Sequence, residues 1–591
     1  MNITYTLEMN NPHTHFFRVK MKLDDVSEER TLLTMPAWTP GSYAILDFAR
    51  NVRKLQAVSE SGAPLVVTKK DKSTWIVASS GIRNMEVSYE VYADEFSVHT
   101  SHLDSTHAFV LGTSVFLYIE GYKDQAVELS VSPPPEWKIS TGLEKIGENR
   151  FRAVNYDILV DSPLEIGTHR SFFFEVDGKQ HEIAIYGHGN ENETMILNDV
   201  QKIVSSFSKM FNQYPFKRYV FIYHLVQEGG QLGGLEHLNS TTIDIERFSF
   251  SPRDKYLDFL SVTSHEYFHL WNVKRIRPIE LGPFNYKEEN YTTMLWVSEG
   301  ITSYYEWIAL FRAGLITEEE YLKHILEYVR YYELLPGSAI ESASDSSFDS
   351  WIKLYRPSPN NTNSYLSYYL KGEILGFLLS SRISEATGGS KSLDDVMRHL
   401  YEKYKKDGKG FVEKDLLSAL RDVSGKDFSE FYSRYVRGTE KIDFDAETAR
   451  IGVKIKKGYR KIDNNEPAEK SYMGIFTKSE NGKIFVSSVL EGSPAFQAGI
   501  NAGDELVAIN RIRFSDLFLK NIREDLRSIK TDNPYIFKPG DRVKVDLFRR
   551  GMLYTLEVKL AMAPPEYYEP ILDREEKNSA IRSRVFQGFN S

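Results

Sequence analysis

Over residues 1 to about 175 apolar and polar side chains alternate in short runs, as in Phe16-Phe17-Arg18-Val19-Lys20-Met21 and Met85-Glu86-Val87-Ser88-Tyr89-Glu90-Val91, broken by Gly, Pro and Asp. A period of two sends every second side chain to the same face, so this stretch is predicted to form antiparallel sheet. From about 176 to 445 the pattern changes. Ile183-Ala184-Ile185-Tyr186, Tyr219-Val220-Phe221-Ile222-Tyr223 and Thr241-Thr242-Ile243-Asp244-Ile245 read as strands, whereas residues 193–214 carry the spacing of an amphipathic helix stopped by Pro215. Helices then dominate. One is predicted to start at Ser251-Pro252, with Ser as cap and Pro in the first turn, and another at the acid-rich Thr317-Glu318-Glu319-Glu320. Further amphipathic helices are predicted over 393–405 and 413–422, and the Pro-, Ser-, Asn- and Gly-rich residues 335–363 read as a loop near the mouth of a cleft. Glycine-flanked alternation returns from 450 to 563, and a tail, 564–591, is left to dock or to fray. The predicted class is multidomain α+β: an antiparallel β domain (1–175), a mostly helical domain with a small sheet (176–445), a third compact unit (450–563) and the tail.

Length agrees with that division, since 591 residues are too many for one core and suggest three or four domains at about 150 residues each. A net charge of −9 argues against nucleic acid or an anionic membrane as partner. The longest apolar runs fall well short of the ~18 residues a spanning helix requires. No membrane span is therefore expected. Absence of cysteine excludes disulfides and thiolate metal sites. Met1-Asn2-Ile3-Thr4-Tyr5-Thr6 has neither a basic stretch nor an apolar one, so no secretory signal is visible and a cytoplasmic location is expected.

The chemistry concentrates in Ser264-His265-Glu266-Tyr267-Phe268-His269, a His-Glu-x-x-His pattern inside predicted helix. Histidines four apart share a helix face and can reach one ion, while the intervening Glu266 can touch a water beside it. A catalytic zinc takes three protein ligands and keeps a fourth position open, so a third ligand is needed from a neighbouring element. Glu299, 30 positions after His269 in Trp296-Val297-Ser298-Glu299-Gly300, is placed to supply it from the next helix. Three other histidines, His99, His102 and His107, fit neither one helix face nor a zinc pattern. They are expected at ordinary strand or turn positions. The glycine doublets of Gly229-Gly230 and Gly233-Gly234, next to a strand, signal either a flexible hairpin or a backbone that a ligand approaches closely.

His265-Glu266-Tyr267-Phe268-His269-Leu270-Trp271-Asn272-Val273-Lys274-Arg275-Ile276-Arg277-Pro278, with Trp296-Val297-Ser298-Glu299-Gly300, closely resembles the glycyl aminopeptidase family of gluzincin zinc metallopeptidases, in the aminopeptidase N-like clan. Met35-Pro36-Ala37-Trp38-Thr39-Pro40-Gly41-Ser42-Tyr43 looks like that family's amino-terminal signature. The resemblance implies one Zn2+ per chain on His265, His269 and Glu299, with Glu266 as general base. It also implies that Gly233-Gly234-Leu235-Glu236-His237 is the segment whose backbone (Gly233, Gly234) pairs with substrate and whose Glu236 holds the substrate's free amine. His237 replaces the asparagine of the relatives, and its role stays open. Tyr-x-Lys-Gly in Tyr369-Leu370-Lys371-Gly372 implies Tyr369 as the phenol that steadies the oxyanion, with Tyr365 and Tyr368 as rivals. The partners implied are peptides with a free N-terminus and a small first residue, Gly or Ala.

Residues 450–563, with Gly492-Ser493-Pro494-Ala495-Phe496-Gln497-Ala498-Gly499 and Gly503-Asp504-Glu505-Leu506, resemble a PDZ domain. Gly474, Ile475 and Phe476 would form its carboxylate-binding loop for a peptide C-terminus, or the domain only packs against the protease. Two other functions remain open on the same residues. One is an endopeptidase or other zinc hydrolase, indifferent to acetylation of the amino terminus. The other is a non-enzymatic PDZ scaffold, against which the presence of every catalytic position counts.

Overall fold

A computed structural model describes residues 1–230, 232–405, 408–459, 471–514, 537–573 and 575–588. Alternating burial along Asn2–Glu8, Phe16–Asp24 and Asn84–Tyr92 turns one face of an eight-stranded sheet inward. Two four-stranded sheets share its core through residues such as Leu33, Trp75, Val110 and Leu164. The pairing is largely antiparallel, as the alternation predicts. Asn2–Glu8 and Val127–Ser132, however, pair in parallel, which the long connection between them allows.

A five-stranded sheet follows, formed by β1 (Arg170–Val176), β2 (Lys179–Tyr186), β3 (Arg218–Val226), β4 (Gly233–Glu236) and β5 (Ser240–Glu246) in the order β1-β2-β3-β5-β4. β2, β3 and β5 run parallel, and β4 closes one edge antiparallel to β5. β1 spans the boundary expected at 175 and pairs with β2 along its length. The helix that follows β2, α1 (Glu193–Phe211), is capped by the Asn192 side chain and ends at Asn212, whose φ of 53° breaks the helix three residues before Pro215.

α2 (Arg253–Phe268) begins one residue later than the sequence suggests. Pro252 takes the cap position and no side chain caps the helix; Asp254 supplies the acidic residue of the first turn. Then come α3 (Ile301–Arg312), α4 (Glu318–Leu334), with the Thr317/Glu320 capping box its sequence announces, and α5 (Tyr368–Ala386). Residues 335–363 are not a plain loop. Short helical turns cover Pro336–Ala339 and Ala343–Phe348, the latter capped by Ser342, and Trp351 is buried under them.

The third unit has its own core around Val486, Leu506, Val545 and Val558, with Ile475–Glu480 at the edge of its sheet. The tail docks: Tyr567–Leu572 pairs with Val453–Gly458, and α6 (Glu576–Gln587) buries Ile581, Val585 and Phe586 in the core of the helical domain. Arg584 and Arg582 pair with Asp395 and Glu318, which fixes that helix by charge as well. No helix among the described residues is long and apolar enough to cross a membrane.

Candidate active site

His265 lies in the last turn of α2, and His269 is the residue at which the helix stops. Their rings meet edge to face, with centroids 4.7 Å apart. Glu299 enters between them: its Oε2 stands 3.4 Å from His265 Nε2 and 3.2 Å from His269 Nε2. Ligands about 2.0–2.1 Å from a tetrahedral ion stand roughly 3.3–3.4 Å from one another, so the spacing suits such an ion. The outer nitrogens are held from behind, His265 Nδ1 by Glu306 Oε2 at 2.7 Å and His269 Nδ1 by the Asn272 carbonyl at 2.7 Å. With Nδ1–H donating on both rings, each Nε2 presents a lone pair to the common point. Burial opposes the charge of Glu299, yet His269 and His265 hold its carboxyl down at about 2. Nitrogen, nitrogen and carboxylate oxygen form a donor set that fits zinc.

Glu299 reaches this point because its backbone is not an ordinary helix. Trp296–Gly300 form a π-turn that runs into α3, a widening that recurs at functional sites. Asn272 Nδ2 donates to the carbonyls of Val297 and Ser298 and to Thr302 Oγ1, binding the end of the α2 segment to that turn. Behind it, a Cβ on Gly300 would lie 2.4 Å from the Gly372 backbone. Two facing glycines thus bring α5, and with it Tyr369, against the Glu299 turn.

The Tyr369 ring stacks beside His265, with centroids 6.1 Å apart. Burial, followed by the Glu299 charge, keeps its phenol well above the ordinary tyrosine range, so it remains a donor. Its rivals face elsewhere. Tyr368 Oη bonds Ser350 Oγ at 3.0 Å in the core, and Tyr365 is buried with its hydroxyl lacking a hydrogen-bond partner among the described residues.

Glu266 is buried beside the pair, and its Oε2 has no hydrogen-bond partner among the described residues. Burial lifts its carboxyl to about 7; the two histidines pull it down, and Glu236 and Glu299 push it up. Gly234 makes room for it, since a Cβ there would sit 2.2 Å from Glu266 Oε1. A Cβ on Gly233 would meet nothing within 4 Å, and β4 is a free edge. Glu236 is brought in as well: one ligand atom each of Glu236, Glu266 and His269 lie within 4.8 Å of one another. Lys274 Nζ stands 3.7 Å from Glu236 and 2.8 Å from Asp161. His237 also pairs with Asp161, through Nδ1 at 3.2 Å, and therefore joins this strand to the amino-terminal half. Arg275, half-buried, donates to the carbonyls of Leu270 and Pro215. Lys274 and Arg275 are thus structural ties behind the strand and the helix end.

Four participants escape a reading of the sequence. Glu306, two turns beyond Glu299, was detectable by its spacing. Gly41 and Tyr43 belong to the signature at 35–43, and Tyr355 to the segment read as a loop. A Cβ on Gly41, whose φ is +92°, would lie 2.5 Å from Glu236 Oε2. Tyr43 packs edge to face on Trp351 and Tyr355, and Tyr355 Oη reaches the Gly41 carbonyl at 3.4 Å. The amino-terminal half therefore roofs the site. Gly474, Ile475 and Phe476 are not brought to it. They line a separate cavity of about 310 Å3 against Tyr331 and Leu334 of α4.

The Peptidase M61 N-terminal domain family matches residues 4–168, the M61 glycyl aminopeptidase family 258–375, and the PDZ domain family 471–560. A crystal structure of an aminopeptidase N family protein from Idiomarina loihiensis is 31% identical, covers 98% of this chain and 99% of its own, and superposes with a TM-score of 0.90. No curated protein matches the chain. With its motif, its helix pair and its whole length all matched, the chain belongs to the M61 glycyl aminopeptidase family and is a peptidase carrying a PDZ domain.

Proposed function

We propose that the chain is a zinc-dependent aminopeptidase that removes a small amino-terminal residue, glycine or alanine, from peptides. The observation that carries this reading is the meeting of His265, His269 and Glu299 at one point, with the carboxylates of Glu266 and Glu236 clustered within 4.8 Å of His269 and of each other. Zn2+ bound by those three side chains supplies Lewis acidity, making water a better nucleophile and polarising a carbonyl. Glu266, whose carboxyl burial raises above the ordinary range, accepts the proton of the attacking water and delivers it to the departing amine nitrogen. Tyr369 donates its phenolic proton to a hydrogen bond with the oxygen that gains charge. Glu236 pairs with the substrate ammonium and so sets the cut one residue from the end. The preference for a small first residue is supported by the roof, where the Gly41 loop presses on Glu236 and Tyr43 and Tyr355 fill the space above it.

The test is turnover of glycyl, alanyl and leucyl anilides, and of one peptide with its amino terminus free or acetylated, with and without a chelator. Glycyl and alanyl substrates should be cleaved fastest, acetylation should stop cleavage, and chelation should abolish it. Equal rates on the acetylated peptide would point to an endopeptidase; activity that survives chelation would remove the metal from the reaction.

A further inference from the structure

β4 has two faces. Gly234 points to α2, and so does its register neighbour Ile243, which belongs to the catalytic core. Gly233, Asp244, His224 and Tyr186 lie in one row on the opposite face, toward the amino-terminal half. On that face, at the carboxyl ends of the parallel strands β2, β3 and β5, is a cavity of about 700 Å3 closed by residues 96–104. The carboxyl ends of parallel strands are where open α/β sheets place ligands.

The acids of this cavity are already engaged. Asp244 bonds His224 Nδ1 at 2.9 Å and the Val98 N–H at 3.1 Å, and Asp104 accepts from the Thr106 N–H at 2.7 Å and pairs with His102. Two donors are not. Arg247 donates only its Nε, to the Val226 carbonyl at 3.3 Å, and pairs with no carboxylate among the described residues. His99 Nδ1 is buried without a hydrogen-bond partner among them. A guanidinium and an imidazole left over in a walled space complement an anion with two oxygens.

A peptide added to the free edge of β4, with its amine at Glu236, runs antiparallel toward Gly233 and sends alternate side chains to the two faces. From Glu236 to Gly233 is three steps, roughly 10 Å at about 3.3 Å per residue. Beyond the cleaved bond the chain therefore arrives where Gly233 leaves the wall open. We propose that this cavity is a subsite for a carboxylate on the leaving side of the scissile bond, held by Arg247 and His99, and that it favours short peptides over longer or neutral ones. The proposal rests on the aminopeptidase reading, which gives the peptide its direction. The carboxylate is either the C-terminus of a tripeptide or an acidic side chain at the second or third residue.

Steady-state kinetics on Gly-Ala-Ala, its C-terminal amide, and amidated Gly-Glu-Ala and Gly-Ala-Glu separate these sources, each kcat/KM being divided by that for glycyl anilide. The expected result is a preference of about tenfold for at least one carboxylate peptide over the neutral amide, carried by KM, and its collapse to near unity in Arg247→Met with partial recovery in Arg247→Lys. Preference for the free acid alone assigns the site to the C-terminus; preference for an amidated acidic peptide assigns it to the side chain. If Arg247→Met does not fold, His99→Ala reads the same contact. Equal rates on all four peptides in the wild type, or an undiminished preference in the variants, overturn the subsite. Failure to cleave glycyl anilide would instead remove the aminopeptidase reading, and the subsite with it.

Discussion

Two buried clusters of histidines and carboxylates lie in this molecule, and they do different things. In one, His265, His269 and Glu299 direct one ligand atom each to a shared point. In the other, Glu165 of the amino-terminal half stands between His107 and His224, at 3.2 and 3.1 Å, and His224 spends its second nitrogen on Asp244 at 2.9 Å. Residue types and burial are alike, so neither explains the contrast. What differs is where the outer nitrogens go. At the active site Glu306 and the Asn272 carbonyl take each Nδ1 from outside and leave Nε2 for an ion. In the other cluster both nitrogens of His224 face carboxylates of the cluster itself. Asp244 and Glu165 thus take both of its nitrogens, and neither is left to point at a shared ion. The first arrangement could hold an ion; the second is a set of charge pairs that fastens two halves of the chain.

The comparison can be broken most severely at Glu266. Glu266→Gln should lower kcat on glycyl anilide by about 10²–10⁴-fold while metal analysis finds the ion retained. Loss of metal would instead make Glu266 a ligand. In the second cluster the same kind of change should cost folding and not metal. Glu165→Gln leaves the His224 charge short of a partner and should destabilise by about 3 kcal/mol in urea melts with unchanged metal content. A loss under about 1 kcal/mol would reduce the cluster to a surface-type pair.

The pH dependence of stability sharpens the contrast further. His224 rises from 6.5 to about 9 on folding, so its stabilisation is complete below 6.5 and fades as pH climbs through 9. For Glu165, burial is outweighed by His107 and His224, and the fall from 4.5 to about 2 adds stability above 4.5 that is lost as pH drops through 2. Read as the difference between wild type and Glu165→Gln in urea melts, the His224 contribution should therefore fall by up to about 3 kcal/mol between pH 6.5 and 9. The smallest effect is expected at Glu306. Glu306→Gln should weaken metal affinity by about 10–100-fold in chelator competition, with folding stability little changed.

Much of the site was legible because its key spacing is local. Histidines four apart on a helix cannot avoid sharing a face, and a carboxylate 30 residues on, beyond two turn signals, had few places to pack. Tyr369 needed the resemblance, since three tyrosines within five positions look alike until the α5 register buries Tyr368 against Ser350 and turns Tyr369 to His265. Gly41 and Tyr43 carried no signal of proximity to Glu236, and Tyr355 only that its segment lies near the cleft mouth. The short helices within 335–363 were hidden by composition, because Ser and Asn serve both as loop residues and as helix caps.

By itself the sequence determined which stretches alternate, which follow helical spacing, and that one helix offers two imidazoles and a carboxylate for metal chemistry. These are properties of neighbours along the chain, set by backbone geometry within a few residues. Only the tertiary structure decided that a π-turn delivers Glu299, that facing glycines bring Tyr369 alongside, that the amino-terminal half covers Glu236, and that the tail helix is buried. Those contacts join residues tens to hundreds of positions apart, and packing and charge pairing among surfaces that exist only after folding select them.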